Sequence, residues 1–270
     1  MGDTQSTAGP TSFVWYELMT TDLDGASAFY GDVVGWRIDA GGDQPGADHY
    51  RMIMRSDGGA NGGALHLTDA MCDEGARPCW MGYFHADDVD ARIAEIVADG
   101  GKVLLPAQDI PQGRFAMVTD PQGVAFYVMT PVPPPGWDGS ASDVYDRYAP
   151  QHVSWNELVT EDLDGAKAFY AKHFGFEFNS SMPMGEFGDY CFIDQGGQGI
   201  GAVMKRPPFV PVAGWSYYIR VDSVTRAVSA IEAGGGKVLR GPHEVPGGDW
   251  TVNGIDPQGA AFAIVGAKGE

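Results

Sequence analysis

Basic residues are scarce in this chain of 270 residues, with 17 lysines and arginines against 36 acidic residues. The formal net charge is therefore −19. A surface this negative repels phosphate groups, which argues against nucleic acid and anionic membranes as partners. Long apolar runs are also lacking, because none approaches the roughly 20 residues that span a bilayer. The expected partner is instead a small-molecule ligand, and a homodimer is left open.

Cysteine is rare as well: only Cys72, Cys79 and Cys191 occur. An odd, small number in a long chain argues against a disulfide scaffold and favours a reducing compartment. The first ten residues lack the basic start and apolar core of a secretory signal. We therefore expect a disordered polar tail over residues 1–10 and a cytoplasmic protein.

The chain does contain a clear internal repeat. The stretch W-Y-E-L-M-T-T-D-L-D-G-A-S-A-F-Y at 15–30 returns at 155–170 as W-N-E-L-V-T-E-D-L-D-G-A-K-A-F-Y, with 12 of 16 positions identical. Alternating residues at the start of each copy predict a strand, and helical spacing then predicts a helix. Repetition at this spacing indicates that the same structural unit is used more than once.

A second pattern follows each copy. Residues 80–86 and 215–221 read as strands that lead into helices, and the turn D-P-Q-G occurs at 120 and again at 256. The predicted helix N-caps are Asp22, Asp87, Asp162 and Asp222. The glycine-rich stretch 58–63 is interpreted as a turn, and residues 69–79 as a loop.

These elements divide the chain into four similar blocks. We predict one domain over residues 11–131 and a second over residues 150–267, joined by a proline-rich linker at 132–149. Each block is too small to bury a sheet face alone, and pairing the blocks solves that problem.

The combination of D-L-D-G-A-x-A-F-Y, the segment D-D-V-D at 87–90, the G-G-K-V run and the D-P-Q-G turn resembles the vicinal oxygen chelate superfamily, which includes glyoxalase I, bleomycin-resistance proteins and extradiol dioxygenases. The likeness covers nearly the whole chain and is greatest to tandem glyoxalase-like bacterial proteins loosely labelled hydroxylases. It implies an α+β fold in which four βαβββ modules pair into two glyoxalase-like cupped-sheet domains, each around a ligand cavity.

The resemblance also implies where a metal would be held. Metal-using members carry two histidines and a glutamate at positions that can be located in each half of this sequence. The residues found there are Trp15, Met81 and Tyr127 in the first half and Trp155, Ser216 and Ala263 in the second. None is a good ligand for a divalent ion. We therefore expect no metal and no other cofactor.

Two carboxylates are the candidate catalytic residues. Glu17 lies two residues after Trp15, and Glu157 two after Trp155, so each pair shares a strand face. If that face lines a cavity, desolvation would raise the carboxylate pKa and suit it to proton transfer or to gripping a hydroxyl or amine. The equally supported alternative is that the carboxylate has a structural role and is hydrogen-bonded where two modules meet.

Some candidate ligand-binding residues lie on the same strand face as the positions where metal-using members carry a metal ligand. The others have aromatic rings with a polar group at the end, which suit the wall of a ligand cavity. They are Trp15, Met81, Tyr83, His85, Tyr127, Trp155 and Tyr218. A histidine near a strand end is also commonly solvated, which is the alternative for His85. Arg114 is interpreted as one member of a surface ion pair rather than as a ligand clamp.

Three functions are compatible with these features. The first is binding of a small, largely apolar or aromatic molecule without metal. The second is a metal-independent enzyme, of lyase or hydroxylase type, that uses Glu17 or Glu157 as acid or base. The third is a metal enzyme with relocated ligands drawn from His49, His66, His85 and Glu17, which no metal-binding spacing supports.

Overall fold

The computed structural model describes residues 12–39, 49–132 and 142–270. The predicted tail at residues 1–10 lies outside these ranges, as does much of the linker. The strands found within the described ranges fall into two sheets of eight strands each.

The first sheet is built from the first half of the chain. Its strands are β1 (Phe13–Thr20), β2 (Arg37–Ile38), β3 (Tyr50–Met54), β4 (Ala60–His66), β5 (Cys79–His85), β6 (Lys102–Ile110), β7 (Gly113–Thr119) and β8 (Ala125–Pro131). The spatial order is β2-β3-β4-β1-β5-β8-β7-β6. β1 pairs parallel with β4, whereas β3 and β4 are antiparallel neighbours, so the sheet is mixed.

The second sheet repeats this arrangement. Its strands are β9 (Val153–Thr160), β10 (Ser181–Pro183), β11 (Asp189–Gln195), β12 (Gln198–Lys205), β13 (Gly214–Val221), β14 (Lys237–Glu244), β15 (Trp250–Ile255) and β16 (Ala261–Gly266). The order β10-β11-β12-β9-β13-β16-β15-β14 matches the first sheet strand for strand. The predicted α+β fold of four βαβββ modules in two glyoxalase-like cupped-sheet domains is confirmed.

Each module opens with a strand followed by a helix. The helices are α1 (Leu23–Val34), α2 (Asp69–Asp73), α3 (Val89–Ala98), α4 (Leu163–Phe174) and α5 (Val224–Ala233). Among the described residues, none of these is long and apolar enough to cross a membrane.

Two of the four predicted helix caps are confirmed and two are corrected. The side chains of Asp22 and Asp162 accept hydrogen bonds from the backbone three residues on, as predicted. α3 and α5 are instead capped by Asp88 and Ser223, not by Asp87 and Asp222. Each cap has an extended backbone and a side-chain oxygen aimed at the first helical turn, the geometry that defines an N-cap.

Two loop assignments were also wrong in part. Gly62 and Gly63 lie inside β4, so only the beginning of the 58–63 stretch is a turn. Residues 69–73 form the short helix α2, because the Thr68 hydroxyl accepts a hydrogen bond from the backbone N–H of Met71 and starts a helical turn.

Packing divides the chain into two compact units. The first unit comprises residues 15–83, 143–156 and 215–270, which places the first and fourth modules together. Within it α1 packs against α5. The Phe29 and Phe262 rings meet edge to face at 5.6 Å. The last linker residues also belong to this unit, where Val144 and Tyr145 are buried.

The second unit contains residues 84–142 and 157–214, the second and third modules, together with the described residues up to 14. An aromatic cluster forms its core, in which Phe84 contacts Phe126 at 5.1 Å and Phe174 at 4.5 Å. The domain and linker boundaries drawn from the sequence stay a prediction.

One hydrogen bond recurs in both units between the two motifs that identify the repeat. The Tyr30 hydroxyl donates to the buried Asp256 carboxylate at 3.0 Å, and the Tyr170 hydroxyl donates to Asp120 at 3.3 Å. The indole N–H of Trp80 in turn donates to the Tyr30 hydroxyl at 2.9 Å. Tyr30 thus satisfies two buried polar groups at once.

Tyr30→Phe should therefore lower the free energy of unfolding by about 3 kcal/mol, because the Asp256 carboxylate and the Trp80 N–H both lose a buried partner. Chemical denaturation followed by circular dichroism measures the change. As a control, Tyr148→Phe removes the same atom from a residue that is 75% exposed. It should change stability by less than about 0.5 kcal/mol. Equal losses in the two variants would contradict the assigned role of Tyr30.

Candidate functional site

Glu17 is the centre of the candidate site in the first half. It lies on β1, is only 3% exposed, and accepts a hydrogen bond from the Tyr83 hydroxyl at 3.0 Å. Tyr83 comes from β5. The structure thus brings together one predicted catalytic residue and one predicted ligand-binding residue.

Tyr50 on β3 joins the same network. The indole N–H of Trp15 donates to the Tyr50 hydroxyl at 2.9 Å, and that hydroxyl lies close enough to Glu17 for the carboxylate charge to raise its pKa. Burial, and then the negative charge of Glu17, raise the pKa of Tyr50, so its hydroxyl stays protonated and acts as a donor. The network therefore runs from an indole N–H through a phenol to a carboxylate.

Gly63 makes room for the Tyr50 ring. It lies opposite Glu17 in the β1–β4 pairing. A Cβ at this position would come within 2.0 Å of the Tyr50 hydroxyl oxygen. Only glycine lets the ring lie flat across the strand, which is a reason for a glycine inside β4.

The charge of Glu17 also affects the pKa of Cys79, at the start of β5. Burial and, secondly, the charge of Glu17 raise the pKa of its thiol to about 11. A thiol with that pKa is almost fully protonated near neutral pH. Cys79 is therefore a neighbour of the site rather than a nucleophile.

The other predicted ligand-binding residues of the first half are Met81, Tyr127 and His85, and each has a different environment. Met81 is buried on β5, two residues before Tyr83. Tyr127 belongs to the other compact unit, where its buried ring packs 5.9 Å from Phe115. His85 lies at the exposed end of β5, with a ring nitrogen 3.8 Å from the Asp87 carboxylate.

The second half repeats the glutamate–tyrosine pair. The Tyr190 hydroxyl donates to Glu157 at 2.7 Å. Trp155, on the same face of β9, packs against a buried cluster that includes Tyr218. The Arg147 guanidinium lies over the Trp155 ring at 5.3 Å. Tyr218 accepts a hydrogen bond from the Asn253 amide at 3.4 Å.

Tyr50 and Tyr190 are the residues that sequence reasoning missed. A signal was available, because Tyr50 follows Trp15 by 35 residues and Tyr190 follows Trp155 by the same interval. Both tyrosines lie beyond the 16 positions over which the repeat has 12 identities, and they occupy equivalent places in the two halves.

The residues at the superfamily's metal positions do not fit a metal. Trp15 and Met81 have no anionic donor, and the Trp15 N–H is directed at Tyr50. The histidines of the relocated-ligand hypothesis come only partly together: His49 and His66 stack at 6.4 Å, whereas His85 lies in the other compact unit. Across the described ranges, no three His, Cys, Asp or Glu side chains are grouped so as to hold a metal ion.

Arg114 forms ion pairs on the surface, as interpreted from the sequence. Its guanidinium donates to Asp90 at 2.9 Å and to Asp109 at 3.0 Å. These side chains help line an open cleft of about 400 Å³. The two neighbouring carboxylates already balance the charge of Arg114, so we assign it no ligand.

Comparison with known proteins identifies the family. The model for the Glyoxalase/Bleomycin resistance protein/Dioxygenase superfamily matches residues 12–128 and again residues 150–264. The chain belongs to this superfamily. Both halves match separately, in agreement with the two sheets of equal strand order.

Similar proteins occur in mycobacteria and streptomycetes. A Mycobacterium bovis protein named "Putative glyoxylase CFP32" is 34% identical over 261 residues, which cover 93% of each chain. The anthracycline biosynthesis protein DauV of a Streptomyces species is 31% identical over 279 residues, covering 95% of this chain and 93% of its own.

Solved structures share the fold at lower identity. The Mn(II)-bound glyoxalase from Novosphingobium aromaticivorans superimposes with a TM-score of 0.60 at 19% identity, covering 97% of this chain and 84% of its own. An extradiol ring-cleaving dioxygenase from B. fuscum gives 0.64 at 16% identity, covering 96% and 72%. At these identities the likeness shows the fold alone.

Cys79 provides a direct readout of the charge on Glu17. In Glu17→Gln the negative charge is gone while burial persists, so the thiol pKa should fall from about 11 part of the way to its ordinary value of 9.0. The alkylation rate of the Cys79 peptide by iodoacetamide, followed across pH by mass spectrometry, measures that pKa. Glu186→Gln, which neutralises an exposed carboxylate, is the control. Identical rate profiles for Glu17→Gln and the parent chain would show that Cys79 does not sense the Glu17 charge.

Proposed function

We propose that the chain binds a small, largely apolar or aromatic molecule that carries a hydroxyl or amine group, without the superfamily's metal triad. The observation that supports this most is the buried Glu17 carboxylate, which accepts a hydrogen bond from the Tyr83 hydroxyl and lies beside Tyr50 and Trp15. A carboxylate accepts hydrogen bonds and cannot donate them. Its natural ligand partner is therefore a donor group.

Keeping a carboxylate buried costs free energy unless its neighbours compensate. Tyr50 and Tyr83 supply part of that compensation through their hydroxyls. Their rings and that of Trp15 lie around the same carboxylate, and aromatic rings are suited to packing against a planar ligand. The ligand hydroxyl would join these donors at Glu17 while its ring packs on the aromatic side chains.

The relatives are compatible with this class of ligand. The name of the DauV protein links it to anthracycline biosynthesis. Anthracyclines are fused-ring aromatic compounds that carry hydroxyl groups, as the network around Glu17 requires. We carry over that general chemistry only, not a particular substrate.

A metal-independent enzyme is the second candidate. Its support is that a tyrosine hydroxyl donates to the glutamate in each half, from Tyr83 on β5 to Glu17 and from Tyr190 on β11 to Glu157. A carboxylate held in this way can take a proton from a bound ligand while the phenol steadies its charge. Chemical conversion of a bound ligand that is lost in both Glu17→Gln and Glu157→Gln would distinguish this candidate from simple binding.

Glu17→Gln tests the binding proposal with naphthol as the probe and naphthalene as its hydroxyl-free match. A hydrogen bond to a charged acceptor contributes about 1.5–3 kcal/mol, so naphthol affinity should fall about 10- to 100-fold. Naphthalene affinity should not change. Isothermal titration calorimetry measures both constants, and Glu186→Gln serves as the matched control.

Stability should change little in Glu17→Gln, because Gln has nearly the same volume and its carbonyl oxygen can accept the hydrogen bond from Tyr83. If the variant instead unfolds more easily and still binds naphthol normally, the carboxylate is structural. Absence of naphthol binding by the parent chain would count against the ligand class itself.

A further inference from the structure

Asn61 is a buried polar residue that neither the fold nor the network around Glu17 explains. It lies on β4 and is 0% exposed. Among the residues that the structure describes, neither its side-chain nitrogen nor its side-chain oxygen has a hydrogen-bond partner. Buried amides without partners are rare in native proteins because they disfavour folding.

The second half shows what the fold itself needs at this position. On β4, Gly62 pairs with Ile53 and Ala60 with Met54, so Asn61 is the extra residue of a bulge. On β12, Gly201 pairs with Ile193 and Gly199 with Asp194, which makes Ile200 the matching residue.

Ile200 is also 0% exposed. The same buried position therefore holds an apolar side chain in one half and an amide in the other. The fold therefore does not require an amide at this position.

The position of the bulge relates Asn61 to Glu17. Gly63 lies opposite Glu17 in the parallel β1–β4 pairing, and Asn61 precedes Gly63 by two residues. Two residues span about 7 Å along a strand, and neighbouring strands lie about 5 Å apart. A bicyclic aromatic molecule covers that distance. Bulges beside binding sites commonly re-aim a side chain.

We propose that the Asn61 carboxamide is a specificity-determining group for the ligand held at Glu17. This inference rests on the proposed function. Glu17 accepts a hydrogen bond from the hydroxyl at one end of the ligand, and Asn61 donates to and accepts from a polar group at the other end. A primary amide or an adjacent carbonyl and hydroxyl matches that pair of atoms. The preferred ligand is therefore an aromatic molecule with polar groups at both ends.

The first test is Asn61→Ile, which introduces the residue type found at the equivalent position of the second half, Ile200. It tests whether the Asn61 side chain lacks a hydrogen-bond partner. Removing an unsatisfied amide should raise the midpoint of thermal unfolding by about 2–4 °C. Asn156→Ile is the matched control, because Asn156 is equally buried but accepts a hydrogen bond from the Tyr16 hydroxyl at 2.8 Å. It should lower the midpoint. A lower midpoint for Asn61→Ile as well would overturn the proposal, since Asn61 would then have a structural partner.

Binding tests the second part with two probes, naphthol and a naphthamide that bears a hydroxyl at the opposite end. Asn61→Ile should weaken the hydroxynaphthamide about tenfold and leave naphthol unchanged, because only the amide probe reaches Asn61. Glu17→Gln should weaken both probes.

Two other outcomes separate the proposals. If Asn61→Ile leaves hydroxynaphthamide affinity unchanged while Glu17→Gln lowers it, the role of Asn61 is overturned and the proposed function stands. If Glu17→Gln affects neither probe, the proposed function fails, and the inference about Asn61 fails with it.

Discussion

A buried hydrogen bond from a helix tyrosine to a turn aspartate holds each compact unit together. Tyr30 reaches Asp256 in one unit, and Tyr170 reaches Asp120 in the other. The other oxygen of each aspartate accepts backbone N–H groups of its own D-P-Q-G turn. One carboxylate therefore accepts hydrogen bonds both from its own turn and from a tyrosine on a helix of another module. Burial raises the pKa of both aspartates because it disfavours their charged forms. The hydrogen bonds from the tyrosine hydroxyl and the turn amides offset part of that free-energy cost.

Tyr30 also supports the candidate site, through a second hydrogen bond. The Trp80 N–H donates to the Tyr30 hydroxyl, which anchors β5 from its core side. Tyr83 lies on the opposite face of that strand, where its hydroxyl donates to Glu17. The packing that joins two modules thus also orients a side chain of the site. A site on strands held in this way can keep a carboxylate buried with a fixed set of donors.

The chemistry of this site differs from that of metal-using members of the superfamily. A divalent ion needs anionic or neutral donors with lone pairs directed at it. Here the Trp15 N–H and the Tyr50 and Tyr83 hydroxyls form a network directed at Glu17. That arrangement stabilises negative charge.

The sequence by itself determined the βαβββ modules, most of the strands and helices, the caps at Asp22 and Asp162, and the superfamily. These features follow from local periodicity and from a repeat that can be read directly. Alternation along a strand also predicted Glu17 and Tyr83 as site residues, and the structure joins these two side chains by a hydrogen bond. Only the tertiary structure showed that Tyr50 completes the network and that Asn61 lies buried without a partner among the described residues. The 35-residue interval relates Tyr50 to Tyr190 but does not reveal which residue either one contacts, because that contact depends on strand register. The burial of Asn61 depends on a bulge, which is also set by contacts between residues distant in sequence.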